Sequence, residues 1–119
     1  MSQAGDLIRE MERLSRLLDK GVKALNDAAH EYAEAESDYR RAKSAAWFSA
    51  PDGDTVRAKE AHVDAVCEVE RRRRLLAEGL RLAALEAVRS RRQQMSCLQT
   101  VANASKAEAE IANYNQGGG

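Results

Sequence analysis

The feature that most constrains the fold is a strict heptad repeat in the first half of the chain. Apolar or small residues recur there at alternating intervals of four and three. Residues at this spacing form the contact seam of a coiled coil, which predicts one helix from about residue 6 to about residue 49. The repeat consists of Leu7, Met11, Leu14, Leu18, Gly21, Leu25, Ala28, Tyr32, Ala35, Tyr39, Ala42 and Ala46. Gly21 is the one member that a coiled-coil seam does not favour.

A single strong break follows this repeat. Pro51 disfavours helical geometry at the residue before it, Ala50. Gly53 suits a turn, and Asp54 or Thr55 can cap the helix that follows. The sequence therefore predicts a turn over residues 50–55.

The second half of the chain is expected to form one helix from about residue 55 to about residue 113. A kink at Asn103–Ser105 is an open alternative, because Asn and Ser side chains compete with helical backbone hydrogen bonds. A short loop makes two long helices antiparallel neighbours, with residue i opposite about residue 104 − i. The expected fold is all-α, a long antiparallel helical hairpin of coiled-coil type that forms one domain over residues 1–113. Residues 114–119 are expected to be a disordered tail, and residues 99–113 to extend past the first helix.

The second helix carries apolar residues that one partner helix does not cover. At about 100° per residue, they spread around most of the helix circumference. A helix that is apolar nearly all round is buried by more than one neighbour. The set is Leu75, Leu76, Leu80, Leu82, Leu85 and Val88. We expect these residues to form the interface of a homo-oligomer, either a helical bundle or a ring.

Basic charge is concentrated in one band of the second helix. The chain has 19 basic and 19 acidic residues, so a general attraction to nucleic acid is absent. Residues 71–92 nevertheless hold eight arginines against two glutamates. Repeated around a symmetric oligomer, these arginines would form a track for the phosphate backbone of single-stranded DNA. The candidate nucleic-acid-binding residues are Arg71, Arg72, Arg74, Arg81, Arg89, Arg91 and Arg92.

A structural role fits part of the same band. In the expected register, Arg71–Arg74 lie opposite the acidic stretch Glu31–Glu36, where ion pairs would fix the alignment of the two helices. The other arginines of the band have fewer acidic neighbours in that register. Tyr32 and Tyr39 occupy seam positions, so we expect them in the core rather than as stacking platforms for bases.

The sequence has no recognisable motif for catalysis or metal binding. Cys67 and Cys97 lack a CxxC partner, and HExxH, GxSxG and glycine-rich phosphate loops are missing. We expect His62 to form a surface ion pair rather than to act as a base. No apolar run approaches the roughly 20 residues that a membrane span needs, and the cysteine usage suggests a reducing, cytoplasmic setting. We therefore expect no enzymatic activity, no cofactor, no metal and no membrane partner.

Three stretches resemble small helical proteins encoded by actinobacterial phages and prophages. They are GVKALNDAAHEYAEAESDYRRAKSAAW (21–47), DGDTVRAKEAHVDA (52–65) and AEGLRLAALEAVRSRRQQMSCLQTVANASKAE (77–108). Some proteins of this kind look like phage recombination mediators. That resemblance implies a ring or short oligomer that binds single-stranded DNA and helps to load a recombinase past the single-strand-binding protein. It also implies a DNA-contacting or assembly surface at SRRQQ (90–94) and the neighbouring Arg89, and it implies no catalytic residue.

Two classes of function follow from these features. The first is a phage recombination accessory protein in the bacterial cytoplasm that binds single-stranded DNA as an oligomer. The alternative is a non-enzymatic coiled-coil structural or protein-interaction module whose arginines form ion pairs. A phage inhibitor that docks on a host protein through residues 99–113 belongs to this second class.

Overall fold

A computed structural model describes residues 3–117 of the chain. Three helices make up nearly all of it: α1 (Gln3–Ser49), α2 (Val56–Val66) and α3 (Glu68–Gly117). Residues 3–117 contain no strand, so the all-α class is confirmed. The chain divides into two compact units. The terminal unit joins the described residues up to Lys23 with those from Glu86 onward, and the central unit is Ala24–Leu85.

The heptad repeat of the first half is the buried stripe of α1. All twelve positions of the repeat are buried or half-buried. Leu14 is the buried anchor of this stripe in the terminal unit, whereas Ala35 and Ala46 are buried in the central unit. Gly21 faces Val88 of α3, and a Cβ atom at Gly21 would lie 3.4 Å from Val88 Cγ2. The stripe predicted from spacing is therefore the face that α1 turns toward its neighbours.

The break after α1 is a β-turn followed by a capped helix. The backbone N–H of Asp54 donates to the Pro51 carbonyl at 3.4 Å. Gly53, the third residue of this turn, has φ of 87°, the sign that a type II turn requires at that position. The Thr55 side chain accepts a hydrogen bond from the Ala58 backbone N–H at 3.1 Å and so caps α2.

The second helical segment is interrupted at Cys67, not at Asn103–Ser105. Cys67 has φ of −100° and ψ of 19°, which ends α2. Its N–H still donates to the Val63 carbonyl, and its carbonyl accepts from the Arg71 N–H, both at 2.9 Å. The interruption is therefore a local distortion across which helical hydrogen bonding continues. Cys67 is buried there beside Val63 and Ala46 in the core of the central unit.

The C-terminal end differs from its expected form. α3 continues to Gly117, so the part of the expected tail at 114–117 is helical, and residues 118–119 lie outside the described residues. In the terminal unit, Leu7 and Ile8 line one side of a groove, and Val101 and Ala102 line the other. Much of the stretch expected to project past α1 thus lies beside it. The helices are shifted by more than a turn relative to the expected register, which would place about residue 83 opposite position 21.

Candidate functional site

The buried seam of α2 and α3 includes charged residues, which hydrophobicity alone does not identify. The seam residues repeat at intervals of four and three, and each is buried or half-buried. The positions are Val63, Cys67, Glu70, Arg74, Ala77, Arg81, Ala84, Val88, Arg91, Met95, Leu98 and Ala102. Three arginines of the basic band therefore occupy seam positions. The signal that identifies them is heptad spacing continued through charged residues.

Two of these seam arginines cover tyrosine rings of α1 in the central unit. The Arg81 guanidinium carbon lies 4.9 Å from the centre of the Tyr32 ring, and that of Arg74 lies 5.8 Å from the Tyr39 ring. A guanidinium over a ring face is attracted by the ring quadrupole, more strongly where water is excluded. Arg81 Nε is buried and makes no hydrogen bond within the described part of the chain. The tyrosines are seam residues, as expected, and the arginines cover them.

Ion pairs connect α1 and α3 in the same unit. Arg73 bonds to Glu31 at 2.9 Å and to Asp38 at 2.6 Å. Arg74 donates from Nε to the Glu36 carboxylate, and the two side chains are only 28% and 22% exposed. The hydrogen bond from Arg74 lowers the pKa of Glu36, and the one from Arg73 lowers the pKa of Asp38. These contacts are the interhelical ion pairs that the structural interpretation of the arginine run predicts for two of its four members.

The other arginines of the band have different surroundings. Arg72 and Arg89 each bond to a glutamate within about one turn of α3, at 2.8 and 3.0 Å. Arg91 donates to a glutamine side chain three residues later, at 3.3 Å. Arg71 and Arg92 are exposed and form no ion pair with the residues that the structure describes. Of the seven predicted nucleic-acid-binding residues, Arg74 and Arg81 therefore lie at seam positions of the central unit. The other five either contact a neighbour along α3 or form no ion pair within the described residues.

Four of the six predicted oligomer-interface residues are exposed. They are Leu75, Leu76, Leu80 and Leu82. Leu85 is half-buried. Val88 is only 1% exposed and lies in the terminal unit, where it faces position 21 of α1, so it offers almost no surface to a second chain. The helical period explains the difference, because Val88 falls on the seam and the four leucines do not.

The exposed leucines surround a glycine on the side of α3 that points away from the seam. At about 100° per residue, Gly79 lies almost opposite the seam positions. Adjacent to it on the helix surface are Leu75, Leu76, Leu82 and Ala83, all exposed. We call these five residues the outward face. Leu80 borders it on one side.

The chain matches no described protein family, no curated protein and no solved structure. Within residues 3–117, no helix combines the length and apolar character needed to cross a membrane. The same residues hold no group of three or more His, Cys, Asp or Glu side chains placed to bind a metal ion.

Proposed function

We propose that the protein is a non-enzymatic coiled-coil module that acts by self-assembly through the outward face of α3. In this proposal the chain is an antiparallel helical hairpin, and several copies form a helical bundle. The observation that carries the proposal is the exposure of leucines on the side of α3 opposite its seam. Contiguous apolar patches on soluble proteins mark sites of interaction.

The size of the apolar effect supports association. Complete burial of a leucine side chain contributes roughly 1.5–3 kcal/mol. Leu76 is 65% exposed and Leu82 is 47% exposed, so each has about half of that contribution still to gain from a partner. Several such side chains on one helix offset part of the entropy that association costs.

The arginine contacts support the same class of function. Arg73, Arg74 and Arg81 bond to acids or cover tyrosines of α1 within the central unit. Their guanidinium groups are therefore engaged in holding helices together. A phosphate backbone would have to compete with these contacts.

Sedimentation equilibrium of matched variants tests the proposal. We expect the parent to associate with increasing concentration, and Leu76→Glu with Leu82→Glu to be monomeric, because the outward face would then carry charge. Val56→Glu is the control, since Val56 is as exposed as Leu76, at 65%, but lies on α2. The control should associate like the parent. A parent that remains monomeric throughout would refute self-assembly.

We propose a second candidate function, binding of single-stranded DNA during phage recombination in the bacterial cytoplasm. It is supported by the exposed Arg71 and Arg92, which have no acidic partner among the described residues. Arg89 and Arg91 lie within one turn of Arg92 on α3 and add positive charge. The partners in this case would be the DNA together with a recombinase or a single-strand-binding protein.

Fluorescence anisotropy with a labelled single strand and a matched duplex tests this candidate at about 50 and 200 mM salt. We expect salt-sensitive binding that favours the single strand and is abolished in Arg89→Glu with Arg92→Glu. The control, Arg16→Glu with Arg57→Glu, makes the same change in charge at exposed positions outside the band. Absence of binding at the lower salt concentration excludes the candidate. An equal loss in the control would show that overall charge, not the band, binds the strand.

A further inference from the structure

We infer that two copies of the chain pair α3 against α3 in an antiparallel manner, with a two-fold axis that passes beside Gly79. The inference rests on the self-assembly proposed above and specifies the geometry of that contact. It is carried by three features of the outward face: an unexplained glycine, the leucines around it, and the charges at its two ends.

No contact among residues 3–117 requires glycine at position 79. It lies inside the 50-residue helix α3, where glycine is less favourable than alanine. A Cβ atom at this position would meet no atom of the described part of the chain within 4 Å. Gly53 is the only glycine with positive φ among the described residues, so backbone conformation does not require Gly79 either. The absence of a side chain would instead allow the backbone of a second helix to approach closely.

The apolar residues are arranged around Gly79 in a way that suits a two-fold axis. In an antiparallel pair centred on Gly79, residue i of one copy lies opposite about residue 158 − i of the other. Leu76 then lies at the same height as Leu82, and Leu75 at the same height as Ala83. Each contact occurs twice because the interface is the same patch on both copies. Leucines that are about half exposed in one chain would thus be covered by equivalent leucines of the other.

The charges at the ends of the outward face distinguish the two possible orientations. Arg72 accompanies Glu68 at one end, and Arg89 accompanies Glu86 beyond the other, with ion pairs of 2.8 and 3.0 Å along the helix. The antiparallel pair centred on Gly79 brings Arg72 of each copy opposite Glu86 of the other. A parallel pair would bring Arg72 against Arg72 and Glu86 against Glu86. Charge complementarity selects the antiparallel arrangement.

Disulfide trapping measures this geometry directly. Packed helices lie about 8–10 Å apart and their Cα atoms about 2.3 Å from the axis, so facing Cα atoms at the centre are about 3.4–5.4 Å apart. A disulfide accepts Cα separations of about 4.4–6.8 Å. We expect Gly79→Cys, in a chain with Cys97→Ser to remove the exposed native thiol, to form a covalent dimer under mild oxidation.

Ala83→Cys in the same background is the matched control on the same face. Two copies of position 83 would lie about 12 Å apart along the helices of an antiparallel pair, too far for a disulfide. An equimolar mixture of Leu75→Cys and Ala83→Cys chains should form the mixed dimer, because these positions lie at the same height. Efficient homodimer formation by Ala83→Cys would overturn the antiparallel arrangement.

Charge exchange gives a second measurement that does not depend on a thiol. Arg72→Glu should weaken the dimer by about tenfold, since two attractive pairs become repulsive, and Arg72→Glu with Glu86→Arg should restore the affinity. A parent that associates but is not trapped by Gly79→Cys, and whose affinity the exchange does not restore, refutes this geometry while self-assembly stands. A monomeric parent refutes both.

Discussion

Replacement of Gly21 by alanine should stabilise the protein. Gly21 is the one heptad position of α1 without a side chain, and it lies within a continuous helix. Alanine is more favourable than glycine inside a helix by about 0.8–1.0 kcal/mol. The new methyl group would lie 3.4 Å from Val88 Cγ2, the short end of ordinary van der Waals contact, so it fits without displacing Val88. Each pair of carbon atoms brought to such a distance adds about 0.1–0.2 kcal/mol of dispersion attraction.

The expected gain is therefore about 1 kcal/mol. Unfolding entropy is about 2.1 cal/mol/K per residue, which for 119 residues converts this gain into a rise in melting temperature of about 4 °C. Circular dichroism at 222 nm, recorded on dilute protein, would measure it. Ala24→Gly, at an exposed position of α1, is the control for helix propensity and should lower the melting temperature by a similar amount.

A fall in melting temperature for Gly21→Ala would refute the reasoning. It would show that α1 and α3 approach too closely at this point to admit a methyl group, and that the glycine is a packing requirement. A rise that exceeds the loss in the control would measure the packing contribution of Val88.

Three further predictions concern acid stability, thiol reactivity and the core. The pKa values of Glu36 and Asp38 lie below their ordinary 4.5 and 3.8, so the stability they provide is present above those values and lost as the pH falls below them. Melting temperature should therefore decrease in that acidic range, and less so in Glu36→Gln. Cys97 is exposed, whereas Cys67 is buried with a raised thiol pKa, so a thiol reagent should modify one cysteine in the native protein and two in denaturant. Leu14→Ala should destabilise the protein by about 2–4 kcal/mol in urea titrations, since the leucine is 2% exposed. A loss below about 1 kcal/mol would show that the terminal unit collapses around the vacancy.

The heptad of α1 could be predicted because its members are apolar or small. Alternating spacing of such residues is the primary signal of a buried helical stripe. Every position selected in this way is buried or half-buried in the structure. In this helix, apolar character and heptad spacing therefore identify the same buried positions.

The seam of α3 could not be found from hydrophobicity, because spacing and residue type disagree there. Arg74 and Arg81 occupy seam positions, whereas the more apolar Leu75 and Leu76 do not. A long arginine side chain packs its methylene stem against a neighbour and lays its planar end on a tyrosine, so a charged residue can hold a seam. Of the residues that hydrophobicity groups together, the leucines are therefore exposed, whereas Val88 lies on the seam and is buried.

The interhelical ion pairs were predicted more successfully than the register. Arg73 contacts both Glu31 and Asp38, which are about 10 Å apart along α1. Long charged side chains thus find acidic partners even when the alignment of the helices is wrong by a turn. A contact at the level of Cβ atoms, such as that between Gly21 and Val88, is much more sensitive to register. The acidic stretch opposite the arginines identifies the neighbouring helix but does not fix its alignment.

The residues that α1 presents to α3 explain why the seam of α3 is buried and its leucines are exposed. In the central unit, α1 presents alanines and tyrosines to the seam. Alanines let the backbones approach closely, and flat tyrosine rings accept the thin arginine side chains placed over them. Large leucines in place of these arginines would force helices that pack through alanines apart. The sequence of α1 therefore selects the arginine-bearing face of α3 as its partner, which leaves the leucines around Gly79 exposed.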